Sequence, residues 1–91
     1  MNMFLIKANF TPNTKEKLET LRPSHLNYIV KNCTIKYGGL TMDQQDLENG
    51  ILYILSYQTI KEAEDFIKMD PYHSILSNIS IEKFVQKLPR L

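Results

Sequence analysis

The sequence predicts an α+β domain in which a four-stranded antiparallel sheet carries two helices on one face. Three observations point there. Apolar and polar residues alternate with period two over Phe4–Phe10 and into the run Thr34–Met42, Ile51–Leu55 is a short run apolar on both faces, and a last strand is expected over Ser80–Leu88. Apolar residues recur every three or four positions between Leu18 and Ile29 and again between Ile60 and Asp70. The resulting order is strand, helix, strand, strand, helix, strand. At 91 residues the chain forms one domain, residues 1–91. A domain of that size buries only a little over ~60% of its unfolded surface, so a second subunit is expected to help.

Composition narrows the function classes. Eleven basic residues stand against ten acidic ones, a net charge of +1, and the basic residues are scattered. Neither nucleic acid nor an anionic membrane surface is an expected partner. The apolar run near Met1 is short and broken by Lys7, and no stretch approaches the ~20 apolar residues of a membrane span, so a cytoplasmic protein is expected. The single cysteine, Cys33, leaves no internal disulfide and no thiolate zinc site, and is expected half-buried at a helix end.

Along the chain, Phe4, Ile6, Ala8 and Phe10 form one face of the first strand, with Leu5 on the other. Pro12 breaks it, and Asn13 or Thr14 is positioned to cap a helix that begins near Lys15. Pro23 is expected to kink or restart that helix, freeing backbone groups before His25. In the second strand, Gly38 and Gly39 predict a bulge or a close approach. A solvated hairpin tip follows over residues 43–50, ending on the turn signal Asn49-Gly50. Ile51–Leu55 is apolar on both faces, as befits a central strand. The two helices cover one side of it. The other side, which Leu5 joins, is left for a second copy, and a homodimer through sheet faces is the expected partner arrangement. Thr59 and Glu62 match a capping box that starts the second helix, and Pro71 ends it.

Two polar residues fall where the patterns call for apolar ones. Leu18, Leu21, His25 and Ile29 share one helix face, so His25 points inward, where an unpaired imidazole costs about 1–3 kcal/mol. Asp70 extends the inward face of the second helix at its C-terminus, where an acid opposes the helix dipole by about 0.3–1 kcal/mol. Each is the best partner for the other. Asp70 is equally suited to capping the turn opened by Pro71, and the two roles are compatible.

Arg22-Pro23-Ser24-His25-Leu26, the glycine-bearing strand at Gly38-Gly39, and Asp70-Pro71-Tyr72 occur in an order and spacing that resemble the YciI-like (YCII-related) domain family. The resemblance runs from about Phe4 to Leu88. It implies a ferredoxin-like βαββαβ fold assembled as a dimeric α+β barrel, and a His–Asp dyad, matched here by His25 and Asp70, beside a small cleft. The wider fold group includes muconolactone isomerase, and one YciI-like member is a dehydrochlorinase acting on a chlorinated hydroxyquinol. The implied chemistry is proton transfer, isomerisation or elimination on a small enolisable or phenolic molecule. The chain departs from the family pattern at Tyr37-Gly38-Gly39-Leu40 and at His73.

On this reading Asp70 fixes the tautomer of His25 and leaves its other nitrogen free for a substrate proton. Arg22, Ser24, Tyr37, Gly39, Tyr72 and His73 are expected to line the substrate site. No cofactor and no metal are expected, although His25, Asp70 and His73 form a two-His-one-carboxylate set on paper. The competing expectation is a non-catalytic, dimeric small-ligand-binding or interaction module in which the His–Asp pair is structural.

Overall fold

The computed structural model describes residues 1–32 and 34–89, so the expectation for Cys33 lies outside the described residues. Strand β1 (Asn2–Phe10) leads to helix α1 (Lys15–Lys31), followed by β2 (Ile35–Met42), β3 (Glu48–Tyr57), helix α2 (Ile60–Met69), a short 3₁₀ helix (Pro71–Ile75) and β4 (Leu76–Phe84). All pairings are antiparallel and the sheet order is β2-β3-β1-β4, a ferredoxin-like arrangement with β1 and β3 in the centre. Phe4, Ile6 and Ala8 of β1 face Leu55, Tyr53 and Ile51 of β3 across the ladder, and all six are buried. Leu18 from α1 and Ala63, Phe66 and Ile67 from α2 close this core, so both helices cover one face. On the opposite face Leu5 pairs with Ile54, and both are only half-buried. Among the described residues no helix is long and apolar enough to cross a membrane.

Local structure departs from expectation at five places, each with a physical cause. First, α1 passes through Pro23 without a break. Glu19 and Pro23 are both exposed, so the proline ring and the turn before it lie on the solvent side of the helix. Second, Thr14 occupies the N-cap of α1 but makes no side-chain cap: its backbone, φ −107° and ψ 5°, lies outside the extended region a capping residue takes, and its hydroxyl donates to the Thr11 carbonyl at 3.0 Å.

Third, the glycines of β2 sit in regular ladder positions, Gly38 opposite Tyr53 and Gly39 opposite Leu52, and the register shifts come instead between Ile35 and Tyr37 and between Thr41 and Met42. Fourth, the hairpin turns at Asp43–Leu47 rather than at Asn49-Gly50. Asp43 Oδ1 accepts from the backbone of Gln45 and Leu47, and Asp46 takes the left-handed backbone conformation, φ 61°. Gly50 belongs to β3, where a β-carbon would collide with the Ala8 carbonyl oxygen, so close approach of β1 is what requires glycine there.

Fifth, the final strand begins at Leu76 and ends at Phe84, four residues earlier than the expected Ser80–Leu88. Asn78, at φ 51°, lies where the β1–β4 register shifts between Lys7 and Asn9. A bulge of that kind shifts the side-chain alternation and hides the strand's start from a period-two reading. The capping box of α2 is present as expected, Thr59 Oγ1 accepting from the Glu62 backbone and Glu62 Oε1 accepting from the Thr59 backbone.

Candidate functional site

The inward face of α1 brings His25 over the core at 8% exposure, and the end of α2 delivers Asp70 at 2%. Pro71 is the reason Asp70 stops there: it forces the preceding residue to extended backbone, and Asp70 has φ −66° and ψ 131°. One carboxylate oxygen does two jobs. Asp70 Oδ1 accepts from His25 Nδ1 at 2.8 Å and from the Tyr72 backbone N–H at 2.9 Å, so the turn cap and the imidazole pairing coexist. A carboxylate can only accept, which places the imidazole proton on Nδ1. Asp70 Oδ2 is also buried and has no hydrogen-bond partner among the described residues.

Aromatic rings fix the imidazole from two sides. Tyr72 stacks on it with centroids 3.9 Å apart and planes within 6°. Tyr53, from the core face of β3, sets its hydroxyl 3.3 Å from Nε2, with its ring 14° from parallel. The nitrogen expected to stand free for substrate therefore faces a phenol. Burial and the nearby Asp70 carboxylate push the Tyr53 phenol well above its ordinary value, which keeps the hydroxyl protonated. Tyr28, one turn beyond His25, donates to the Phe66 carbonyl at 2.7 Å and is pushed up to about 12, chiefly by burial.

A cleft of about 970 Å³ opens beside this assembly, between the first half of α1, the β1–α1 turn and the hairpin tip. Phe10, Leu18 and Arg22 line it. Phe10 packs edge-on against Tyr72, with centroids 6.1 Å apart, and Tyr72 in turn stacks on His25. Phe10 and Tyr72 thus link the cleft wall to the imidazole.

The other expected site residues are dispersed. Ser24 is exposed on α1 and does not line the cleft. Tyr37, 66% exposed, pairs with Ile54, and Gly39 pairs with Leu52, so both belong to the sheet face opposite the helices. His73 is exposed and lines a separate groove with Glu64 and Lys68 of α2 and with Ile79 and Ile81 of β4. Among the described residues no three His, Cys, Asp or Glu side chains are grouped to hold a metal ion, and His73 does not join His25 and Asp70. Tyr53 is the residue that pattern reading missed. Its alternation with Ile51 and Leu55 marks it as core, and nothing local announces that its hydroxyl reaches a helix.

The sheet order and the one-sided helices define a ferredoxin-like α+β protein with a buried His–Asp pair. Neither a protein-family model nor a curated protein sequence matches the chain. Among solved structures it is similar to 5-chloro-2-hydroxyhydroquinone dehydrochlorinase (TftG) from Burkholderia phenoliruptrix, in complex with 2,5-dihydroxybenzoquinone. The TM-score is 0.82 at 22% identity, covering 92% of this chain and 94% of that one. A conserved protein from Methanosarcina mazei is similar at a TM-score of 0.59 and 14% identity, covering 96% and 95%. At these identities the likeness is one of fold.

Proposed function

We propose that this chain is a small YciI-like enzyme in which His25, oriented by Asp70, performs general acid–base chemistry on a small enolisable or phenolic molecule. The observation that carries the reading is the 2.8 Å contact between His25 Nδ1 and a carboxylate excluded from solvent. Such a partner fixes the tautomer, orients the ring and stabilises the imidazolium that forms when Nε2 takes a proton. The cleft lined by Phe10, Leu18 and Arg22 is where the substrate approaches, and the Arg22 guanidinium supplies positive charge for a developing phenolate or enolate. The dehydrochlorinase of the same fold holds a dihydroxyquinone, which belongs to that chemical class. The working unit in this proposal is a homodimer closed through the sheet face that carries Leu5, Leu52 and Ile54.

The test is turnover of a panel of hydroxyquinols, phenols and enolisable ketones by the wild type, His25→Ala and Asp70→Asn. Both variants lose activity while far-UV circular dichroism shows the fold intact. Full turnover by both would overturn the proposal. The enclosure of the ring favours one competing reading, a ligand-binding module with an architectural pair, since His25 is 8% exposed and its Nε2 faces Tyr53. In that case the variants lose their fold rather than an activity.

A further inference from the structure

We infer that Tyr53 is a positioning residue for His25, and that Gly38 is glycine because the Tyr53 ring needs the space; the inference rests on the acid–base reading above and deepens it. Three groups face the imidazole: Asp70 from the end of α2, Tyr53 from β3 and Tyr72 from the 3₁₀ helix. Tyr72 contributes its ring face and its backbone N–H, which is already given to Asp70. Among the described residues the Tyr53 hydroxyl alone addresses Nε2, at 3.3 Å. With the proton on Nδ1, the Nε2 lone pair accepts and the phenol donates, which completes a chain from Tyr53 O–H through the imidazole to Asp70.

A hydroxyl is suited to this place because it serves both states of the ring. It donates to neutral Nε2, and after a half-rotation it accepts from the Nε2–H of the imidazolium. A ring that cycled between those states against an apolar wall would bury an unpaired N–H on every protonation. The residue therefore lets His25 take and release a proton without leaving its position over Asp70. Tyr53 reaches it because the neighbouring strand is notched. A β-carbon on Gly38 would lie 3.1 Å from Tyr53 Cδ1 and 3.3 Å from Ile35 Cγ2, whereas one on Gly39 would touch nothing within 4 Å. Of the two adjacent glycines, Gly38 is the one the site requires.

The experiment is a long-range proton–nitrogen correlation of the His25 ring in nitrogen-15-labelled full-length chain. It is followed through pH for the wild type, Tyr53→Phe and Gly38→Ala, with His73→Gln used for assignment. The wild type shows a protonated Nδ1 and an Nε2 resonance displaced upfield by the bond it accepts. Tyr53→Phe keeps the ring and the packing, moves Nε2 downfield, and leaves Nδ1 protonated. Gly38→Ala moves Nε2 in the same direction with the hydroxyl still present. A folded Tyr53→Phe with the wild-type Nε2 resonance overturns the role of Tyr53, and an unmoved Nε2 in Gly38→Ala overturns that of Gly38. A wild-type His25 that takes up no proton while the chain stays folded would overturn the acid–base reading itself.

Discussion

Removing the Asp70 carboxylate separates what its charge contributes from what its oxygen contributes. Asp70→Ala leaves two buried donors, His25 Nδ1–H and the Tyr72 backbone N–H, without their shared acceptor. Each orphaned donor costs about 1–3 kcal/mol, so the two together cost about 2–6 kcal/mol. A domain of this size has about 5–15 kcal/mol of stability, and 1 kcal/mol shifts its Tm by about 4–8 °C. The alanine variant should therefore melt at least about 8 °C lower. Asp70→Asn retains an oxygen that accepts from both donors; it loses the charge assistance, about 1–2 kcal/mol, and sets amide donors where the buried Oδ2 has no partner among the described residues, a further cost of about 1–3 kcal/mol. Urea unfolding followed by circular dichroism measures both. In a double-mutant cycle, His25→Ala and Asp70→Ala together should cost less than their sum by about 1.5 kcal/mol or more. An Asp70→Ala variant within about 1 kcal/mol of wild type, or a double-mutant cycle with no coupling between His25 and Asp70, would refute the reasoning.

Three further outcomes are expected. Gly50→Ala should destabilise by about 3 kcal/mol or prevent folding, because its β-carbon would meet the Ala8 carbonyl, whereas Gly39→Ala has open space and should stay within about 0.5 kcal/mol in the same urea assay. Burial raises the Tyr28 and Tyr53 phenols above the ~10 of an unfolded tyrosine. The folded state thus holds those protons more tightly, so the contribution of these two tyrosines to stability is constant below about pH 10 and is lost above it; ultraviolet titration should show their two phenolates appearing last, together with unfolding. Sedimentation equilibrium should find a dimer that Ile54→Asp converts to monomer, since Ile54 lies on the sheet face the helices leave bare.

The fold was legible because its signals are local and repeated. The alternation of Phe4, Ile6 and Ala8 and the face shared by Leu18 and His25 each record burial directly in sequence spacing. The His25–Asp70 pairing, 45 residues apart, was legible for a different reason: each is a polar residue on an inward face, and each needs the other. What escaped is geometry that leaves no local trace. The bulge at Asn78 shifted the parity of β4, and the solvent-side position of Pro23 made a helix-breaking residue tolerable. Tyr53 reads as one more core aromatic, and its hydroxyl acquires a role only when α1 is laid across β3. The paired glycines signal a bulge or a close approach without saying which, and only the packed sheet shows that a side chain, the Tyr53 ring, approaches Gly38.

The measurement that bears most directly on the central claim is the ring nitrogen spectrum of His25 in the wild type and in Asp70→Asn. The account predicts a protonated Nδ1 in the resting chain, reversible proton uptake with the fold intact, and a change in both when the Asp70 charge is removed. A proton found on Nε2, or a His25 spectrum indifferent to Asp70→Asn in a folded chain, would contradict it.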